Sequence, residues 1–466
     1  MKAKRVVSLL AAVVLAAGAL AGCGSSSSDT QETTEEAEDT EEETEEETEE
    51  EAAEESSEET SSEETEEASE ETSEEAESEE TSADKNIESC EITFWHSMTG
   101  EQETTLTELT DQFNSENEYG ITVTLVNQGE YSDLSTKLTA NAAAGTLPDL
   151  SQAYNSWLID YIDMVVPLDD FVENDYDDYD DIIESYREET SEFGFINAMP
   201  FNKSTYVYFY NKTMFDELGL EAPTTWDDLI TIGETFLSEK DMVSLGFDDM
   251  AGMLEAFLLQ DGAEYVSEDG ALFDNDEGLE TVEFIMELYN NGYARLVGED
   301  SYFSSPFSNQ LIAAYVGSST GVSYITAEDF ELGVAPLPGN VTEAANTAGT
   351  NIVMFSDDEN SQLASWEYLK FLTSVDATTA WAMETGYLPV RTSAYESETY
   401  QEFMAEDPTA TASYEQSDAF FHSETFDGSY DVQSTVDSTL EEVILNEDDA
   451  ETALDALVSA INKAVD

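Results

Sequence analysis

The residues that could carry out catalysis do not form a recognisable catalytic pattern. The chain has two histidines, His96 and His422, and neither lies in a motif that joins a nucleophile, a base and an orienting acid. The sequence contains no Gly-x-Ser-x-Gly elbow, no Walker A loop and no Gly-x-Gly-x-x-Gly turn. It also lacks the grouped histidines and cysteines that bind zinc. We therefore predict no catalytic residue, no metal ligand and no cofactor.

Acidic side chains are far more numerous than basic ones. The chain has 108 Asp and Glu against 13 Lys and Arg, a formal net charge of −95. Binding to nucleic acid needs clustered basic side chains, so nucleic acid is excluded as a partner. Two oxygen-rich stretches, 175–181 and 274–278, could bind calcium, but the second lacks the spacing of an EF-hand loop and is better explained as the start of a helix over 277–291. Carboxylates are so abundant that a glycosidase pair is neither indicated nor excluded.

Aromatic side chains are the remaining candidates for ligand contacts. The chain carries 22 Tyr, 22 Phe and 5 Trp, and several of them adjoin predicted loops. These are Trp95, Tyr131, Tyr154, Trp157, Tyr302 and Tyr387. Aromatic faces pack against the C–H surfaces of sugars and polyols, while amides, hydroxyls and carboxylates bind the hydroxyl groups. Any one of these residues could equally belong to a core, but a set at the carboxyl ends of strands indicates a ligand site.

The elements that must position these residues alternate between strand and helix. The apolar periodicity predicts a strand–helix–strand–helix–strand order at 90–95, 101–118, 121–126, 132–144 and 147–154. Further strands are predicted at 207–210, 330–340 and 351–355, and further helices at 211–219, from about 225, 277–291, 360–374, 376–385 and 447–463. This order is typical of parallel sheets with helices on their faces, so the predicted fold class is α/β. The length suits two domains.

The first 86 residues predict export and attachment to a membrane. A basic start at residues 2–5 precedes an apolar run over 6–20, which ends in Leu-Ala-Gly-Cys at 20–23. This resembles a bacterial lipobox, so we predict a signal peptide over 1–22 and lipidation of Cys23; the alternative is an ordinary secretory signal. Residues 23–86, rich in Glu, Ser and Thr, are then predicted to form a disordered acidic stalk. The predicted location is the extracellular face of the cell membrane.

A series of motifs resembles a known family. The motifs are FWHSMTG (94–100), QFN (112–114), GEYSDL (129–134), AGTLPDL (144–150), PFNKSTYVYFYNKTMFDELGLEAPTTWDDL (200–229), TAGTNIVMF (347–355) and ETGYLPVR (384–391). In this order they resemble the extracellular solute-binding proteins of ABC importers, of the carbohydrate-uptake family 1 type. The residues in these motifs are most similar to those of the glycerol-3-phosphate-binding subgroup. The resemblance covers roughly residues 90–465.

The resemblance implies a type II periplasmic-binding-protein-like fold, with two α/β lobes, a hinge and a ligand cleft between the lobes. Lobe 1 is expected at 87–203 plus 345–392, and lobe 2 at 204–344 plus 393–466. The hook Pro-Phe-Asn-Lys-Ser-Thr, from residue 200, is expected where the chain crosses between the lobes. The resemblance further implies a monomer that binds a small solute and delivers it to ABC permease subunits.

The resemblance also implies a set of ligand contacts. The predicted substrate-binding residues are Trp95, Tyr131, Asn155, Ser204, Gly349, Thr350 and Tyr387. The chain departs from the subgroup in three places: Asn155 replaces a glutamate, 248–254 has no tryptophan, and 425–430 has no arginine.

Without that arginine the cleft lacks the paired N–H donors of a guanidinium group, which favour phosphate binding. Lys203 and Arg391 are the nearby substitutes. We therefore predict a neutral saccharide or polyol as ligand, with glycerol-3-phosphate or a glycerophosphodiester as the alternative. A surface adhesin or a glycosidase is the alternative outside this family.

Overall fold

The computed structural model describes residues 87–465. The predicted signal peptide, the lipidated Cys23 and the acidic stalk therefore lie outside the described residues. The strands are β1 Glu91–His96, β2 Thr122–Asn127, β3 Leu150–Ala153, β4 Met199–Pro200, β5 Ser204–Asn211, β6 Val266–Ser267, β7 Gly270–Ala271, β8 Ala314–Ser318, β9 Leu332–Ala335, β10 Ala345–Ala348, β11 Asn351–Met354 and β12 Phe420–Phe421.

The α-helices surround these strands. They are α1 Glu101–Glu116, α2 Tyr131–Ala144, α3 Asn155–Leu158, α4 Asp169–Asp175, α5 Glu184–Glu189, α6 Lys212–Leu218, α7 Trp226–Lys240, α8 Met250–Asp261, α9 Asp276–Asn290, α10 Ser304–Ser308, α11 Glu359–Leu372, α12 Val375–Thr385, α13 Thr392–Glu396, α14 Glu398–Met404, α15 Pro408–Glu415, α16 Ser429–Leu445 and α17 Ala450–Ala464. Short 3-10 helices occur at 159–164, 179–181, 319–324 and 417–419.

The first sheet has the strand order β2-β1-β3-β11-β4. The strand β1 pairs in parallel with β2 and β3, which confirms the strand–helix–strand–helix–strand prediction for 90–154. The strand β11 enters between β3 and β4 and runs antiparallel to both. Apolar residues of this sheet pack with those of α1, α11 and α12. The resulting core includes Ile92, Phe94, Ile352 and Trp381.

The second sheet is built around β5. The strands β8, β9 and β10 all run antiparallel to β5, and β12 pairs with β10. Thus β10 lies in the second sheet, although the predicted lobe boundary at 344/345 assigns it to the first lobe. The reason is its pairing, because Thr347 and Ala348 lie opposite Thr205 and Ser204.

Local chemistry explains where several helices begin. Thr225 and Asp228 form a capping box at α7, as the motif at 223–230 predicts. Asn275 caps α9 by accepting from the Gly278 N–H at 2.8 Å, so the oxygen-rich stretch 274–278 is a helix start. Among residues 87–465, no group of three or more His, Cys, Asp or Glu side chains is arranged to hold a metal ion.

Candidate functional site

The chain crosses between the two sheets at two adjacent places. The hook residues 201–203 join β4 to β5, and Gly349 and Thr350 join β10 to β11. Gly349 has a φ of +115°, and a Cβ at this position would lie 1.9 Å from the Asn202 carbonyl oxygen. Only glycine tolerates both the backbone conformation and this close approach. The two crossings are therefore in direct contact.

The Asn202 side chain links the crossings to the predicted ligand site. It is fully buried, and its Oδ1 accepts from Gln152 Nε2 at 2.9 Å and from Thr350 Oγ1 at 2.5 Å. Its Nδ2 donates to the Tyr131 hydroxyl at 2.9 Å. Asn202 therefore connects β3, both crossings and α2 through one amide group.

An aromatic wall lies at the carboxyl ends of β2 and β3. Tyr131 begins α2 beyond β2, and Tyr154 follows β3 directly. The ring centroids of Tyr131 and Tyr154 are 5.7 Å apart, and that of Trp157 lies 5.0 Å from Tyr154. All three side chains are partly exposed. Burial raises the pKa of the Tyr131 and Tyr154 hydroxyls well above the usual value, so both stay protonated and can donate hydrogen bonds.

Tyr387 lies at the start of the loop after α12. Its ring stacks on Trp381 with centroids 5.7 Å apart and planes inclined by 8°. The following residue is tied to the hook, because the Leu388 N–H donates to the Lys203 carbonyl at 2.7 Å. After burial, the neighbouring Tyr387 contributes to the raised pKa of Tyr131, so the two predicted contacts lie in one region.

The two basic residues nearest in sequence to the predicted site are both committed to carboxylates. Lys203 is fully buried, and its Nζ lies 2.6 Å from Glu189 Oε2 and 3.3 Å from the Gly349 carbonyl. Burial lowers the pKa of Lys203, and the Glu189 carboxylate opposes that change. Arg391 is buried and its Nη1 lies 2.5 Å and 3.0 Å from carboxylates of Asp178 and Asp181. The acidic stretch 175–181 thus supplies the carboxylates that pair with Arg391.

Asn155 belongs to a separate polar junction. Its Nδ2 donates to Glu192 Oε2 at 2.9 Å, and its Oδ1 accepts from Asn197 Nδ2 at 3.1 Å. The other Glu192 oxygen lies 3.3 Å from His422 Nε2. Burial would lower the pKa of His422, but the hydrogen bond and charge of Glu192 raise it. The Asn155 amide is therefore committed to protein partners.

The second sheet contributes a polar pair near the aromatic wall. The Tyr206 hydroxyl donates to Asp249 Oδ2 at 2.7 Å, and Asp249 caps α8 by accepting from the Gly252 N–H at 2.9 Å. A cavity opens beside this pair, with Asn346 and Phe257 in its lining. Neighbouring Tyr154 contributes to the raised pKa of Tyr206, after burial and Asp249. The stretch in which the subgroup has a tryptophan thus supplies a carboxylate here.

The structure brings some of the predicted site residues together and separates others. Tyr131, Gly349, Thr350 and Tyr387 all lie around Asn202 and the two crossings. Ser204 is the buried first residue of β5, next to Lys203. Trp95 is a partly exposed residue of β1 that packs against a different apolar cluster, with Leu134 and Leu138.

Several residues of this region were not in the predicted set. Tyr154 and Trp157 were noted only as aromatic residues beside loops, and Asn202, Gln152, Tyr206 and Asp249 were not singled out. Asn202 is part of the Pro-Phe-Asn-Lys-Ser-Thr hook, so its motif was visible, but its role depends on Gln152, which lies 50 residues earlier. In the sequence, nothing distinguishes Gln152 from the other residues of its strand. No local pattern reveals a hydrogen bond over such a separation.

Comparison with known proteins identifies the family. Residues 108–412 match the model of the bacterial extracellular solute-binding protein family. The chain is 26% identical over 350 residues to the sn-glycerol-3-phosphate-binding periplasmic protein UgpB of Escherichia coli K12, covering 68% of this chain and 78% of that protein.

Two solved structures share the fold. The cyclic alpha-maltosyl-1,6-maltose binding protein of Arthrobacter globiformis matches with a TM-score of 0.74 and 24% identity, over 81% of this chain and 99% of that one. UgpB from Mycobacterium tuberculosis in complex with glycerophosphocholine matches with a TM-score of 0.69 and 20% identity, over 81% and 98% of the two chains. These similarities confirm the periplasmic-binding-protein-like α/β fold.

The chain belongs to the bacterial extracellular solute-binding protein family. It is a solute-binding protein of an ABC importer rather than an enzyme, as the motifs predict. The family also supports an extracellular location. Within residues 87–465, none of the helices has the length and apolar character needed to span a bilayer.

Proposed function

We propose that this protein captures a neutral saccharide or polyol between its two sheets and passes it to a membrane permease. The observation that carries this proposal is the aromatic wall of Tyr131, Tyr154 and Trp157 beside the polar network of Asn202. Aromatic faces suit the C–H surfaces of a sugar ring, and the hydroxyl and amide groups suit its oxygens. Tyr387 and the Tyr206–Asp249 pair add further polar contacts.

The charges near the wall favour a neutral ligand over a phosphate. Lys203 and Arg391 are each held by carboxylates, so neither is free to form the paired hydrogen bonds that bind a phosphate. The Asp249 carboxylate adds negative charge on the opposite side. A glycerol phosphate or a glycerophosphodiester remains the second candidate, because the E. coli relative is named for sn-glycerol-3-phosphate and the M. tuberculosis structure is a complex with glycerophosphocholine.

Ligand-dependent thermal unfolding of the purified protein tests this function. The panel contains maltose, maltotriose, glycerol, sn-glycerol-3-phosphate and glycerophosphocholine. A ligand at 100 times its dissociation constant stabilises the folded state by about 2.7 kcal/mol, which raises the Tm by several degrees. We expect such a shift with a saccharide or polyol and none with the two phosphate compounds.

The other outcomes of the panel have distinct meanings. A shift only with the phosphate compounds would contradict the neutral-ligand proposal. No shift with any compound would indicate a solute outside the panel.

We further propose that Cys23 is lipidated and holds the protein on the outer face of the cell membrane. The support is the Leu-Ala-Gly-Cys sequence at 20–23, directly after an apolar run. The variant Cys23→Ser should move the protein from the membrane fraction to the culture medium or periplasm. The neighbouring Ser25→Ala variant is the matched control and should stay in the membrane fraction. Membrane retention of Cys23→Ser would refute the anchor.

A further inference from the structure

We propose that Asn202 is a positioning residue that determines specificity, because its amide donates to the Tyr131 hydroxyl and so leaves the Tyr131 proton to be donated to the ligand. This inference rests on the proposed function, since it concerns the same cleft. It follows from the direction of each hydrogen bond in a chain of four groups. These groups are the Ser97 backbone N–H and the side chains of Gln152, Asn202 and Tyr131.

The chain begins at a group whose direction cannot be reversed. The Ser97 backbone N–H donates to Gln152 Oε1 at 2.9 Å. A backbone N–H can only donate, so the oxygen of the Gln152 amide must face Ser97. The Gln152 nitrogen then faces the opposite way, toward Asn202. Gln152 is fully buried, so no water competes for either end of its amide.

The direction passes unchanged through Asn202. Gln152 Nε2 donates to Asn202 Oδ1 at 2.9 Å, and Thr350 Oγ1 also donates to that oxygen at 2.5 Å. A rotated Asn202 amide would place its NH2 group against that of Gln152, leaving two buried donors without an acceptor. Asn202 Nδ2 therefore faces the Tyr131 hydroxyl, at 2.9 Å.

Tyr131 must then direct its own proton away from Asn202. A phenol has one proton, and its oxygen already accepts the bond from Asn202 Nδ2. The Tyr131 proton is therefore available for an acceptor other than Asn202, and the partly exposed Tyr131 side chain can offer it to a ligand.

The consequence is a requirement on the chemistry of the ligand. The ligand group that receives the Tyr131 proton must be a hydrogen-bond acceptor, such as a hydroxyl, ring or glycosidic oxygen. An ammonium group has no acceptor, so at the same point it would leave the Tyr131 proton without a partner. The hook thus selects for an oxygen at this point without touching the ligand.

The direction of the Tyr131 bond can be measured without any ligand. The intensity ratio of the tyrosine Fermi doublet in the Raman spectrum differs between a hydroxyl that accepts and one that only donates. The difference spectrum between the wild type and Tyr131→Phe isolates Tyr131 from the other tyrosines. We expect the wild-type hydroxyl to show an acceptor contribution. A donor-only signature in the wild type would overturn the proposal.

Two variants should reverse the direction of these hydrogen bonds, one at Asn202 and one at Gln152. In Asn202→Asp the carboxylate can only accept, so Tyr131 must donate to it; in Gln152→Glu the same reversal begins one group earlier. Spectra at about pH 8, well above the usual carboxyl pKa, should show the doublet ratio of Tyr131 shifting toward the donor-only value in both variants. A shift in Gln152→Glu cannot come from a lost contact, since the Tyr131 hydroxyl bonds to Asn202 and not to Gln152. An unchanged ratio in the variants that fold would contradict the proposal.

A separate binding experiment tests the effect of Asn202 on the ligand. With any compound that shifts the Tm in the panel, Asn202→Asp should weaken binding about tenfold, the cost of one lost hydrogen bond. Full binding by Asn202→Asp would overturn the specificity role. Failure of every panel compound would count against the proposed function and leave the Raman result to decide the direction of the chain.

Discussion

Replacing Lys203 by methionine is expected to lower the free energy of unfolding by about 3–5 kcal/mol, as is typical when one partner of a buried ion pair is removed. The Lys203 side chain is fully buried and that of Glu189 is 14% exposed. Methionine fills a similar volume, so the loss comes from the unpaired Glu189 carboxylate and not from a cavity. Urea unfolding followed by circular dichroism measures the change as a lower midpoint.

Two further variants separate this effect from a general loss of packing. The double variant Lys203→Met/Glu189→Gln removes both charges and should recover most of the lost stability, because no charge is then buried alone. The matched control is Lys212→Met, which breaks the exposed pair with Asp216 and should leave the midpoint nearly unchanged. A Lys203→Met protein as stable as the wild type would show that Glu189 finds another partner.

Replacing Gly349 by alanine should be the second severe change. Its Cβ would lie 1.9 Å from the Asn202 carbonyl oxygen, and its φ of +115° is unfavourable for any L-residue with a side chain. Overpacking and backbone strain together are expected to cost about 3 kcal/mol or more. Any shift of the hook also moves Asn202, so ligand binding should fall with stability.

A second glycine provides the control for the backbone term alone. Gly145 ends α2 with a φ of +68°, and a Cβ there would have no neighbour within 4 Å. Gly145→Ala should therefore cost only about 1–2 kcal/mol and leave the ligand-induced Tm shift intact. Equal destabilisation of the two alanine variants would contradict the clash at the crossings.

The helices and strands that could be predicted from the sequence are those in which apolar and polar residues alternate with a regular period. The first three strands and two helices alternate with clear periodicity, and capping residues such as Thr225 and Asn275 mark helix starts. The helix α8 was not predicted because almost all of its residues are buried, which removes the polar face that reveals a helix. The assignment of β10 to the second sheet depends on pairing with β5, which no local signal reports.

The arrangement of the candidate site could be predicted only in part, for a similar physical reason. Tyr131 and Tyr387 are recognisable from motifs, and hydrogen bonds of Tyr131 and of Leu388, the residue after Tyr387, tie them to the hook. The commitment of the Asn155 amide to Glu192 and Asn197 could not be foreseen, because the partners come from a loop with no regular pattern. The same holds for Lys203, whose burial against Glu189 depends on how α5 packs.

The strand order of the first sheet also sets the sequence of events during synthesis. The strand β11 lies between β3 and β4 but is made last of the five, with its end at Met354. A nascent chain that stops before Asn351 has β4 without a neighbour in that sheet. The ribosome must therefore complete the region from Ser204 to Ala348, which holds β5, β8, β9 and β10 of the second sheet, before the first sheet can close. Folding of the amino-terminal half waits on the carboxyl-terminal half, and such long-range pairing is intrinsically slow.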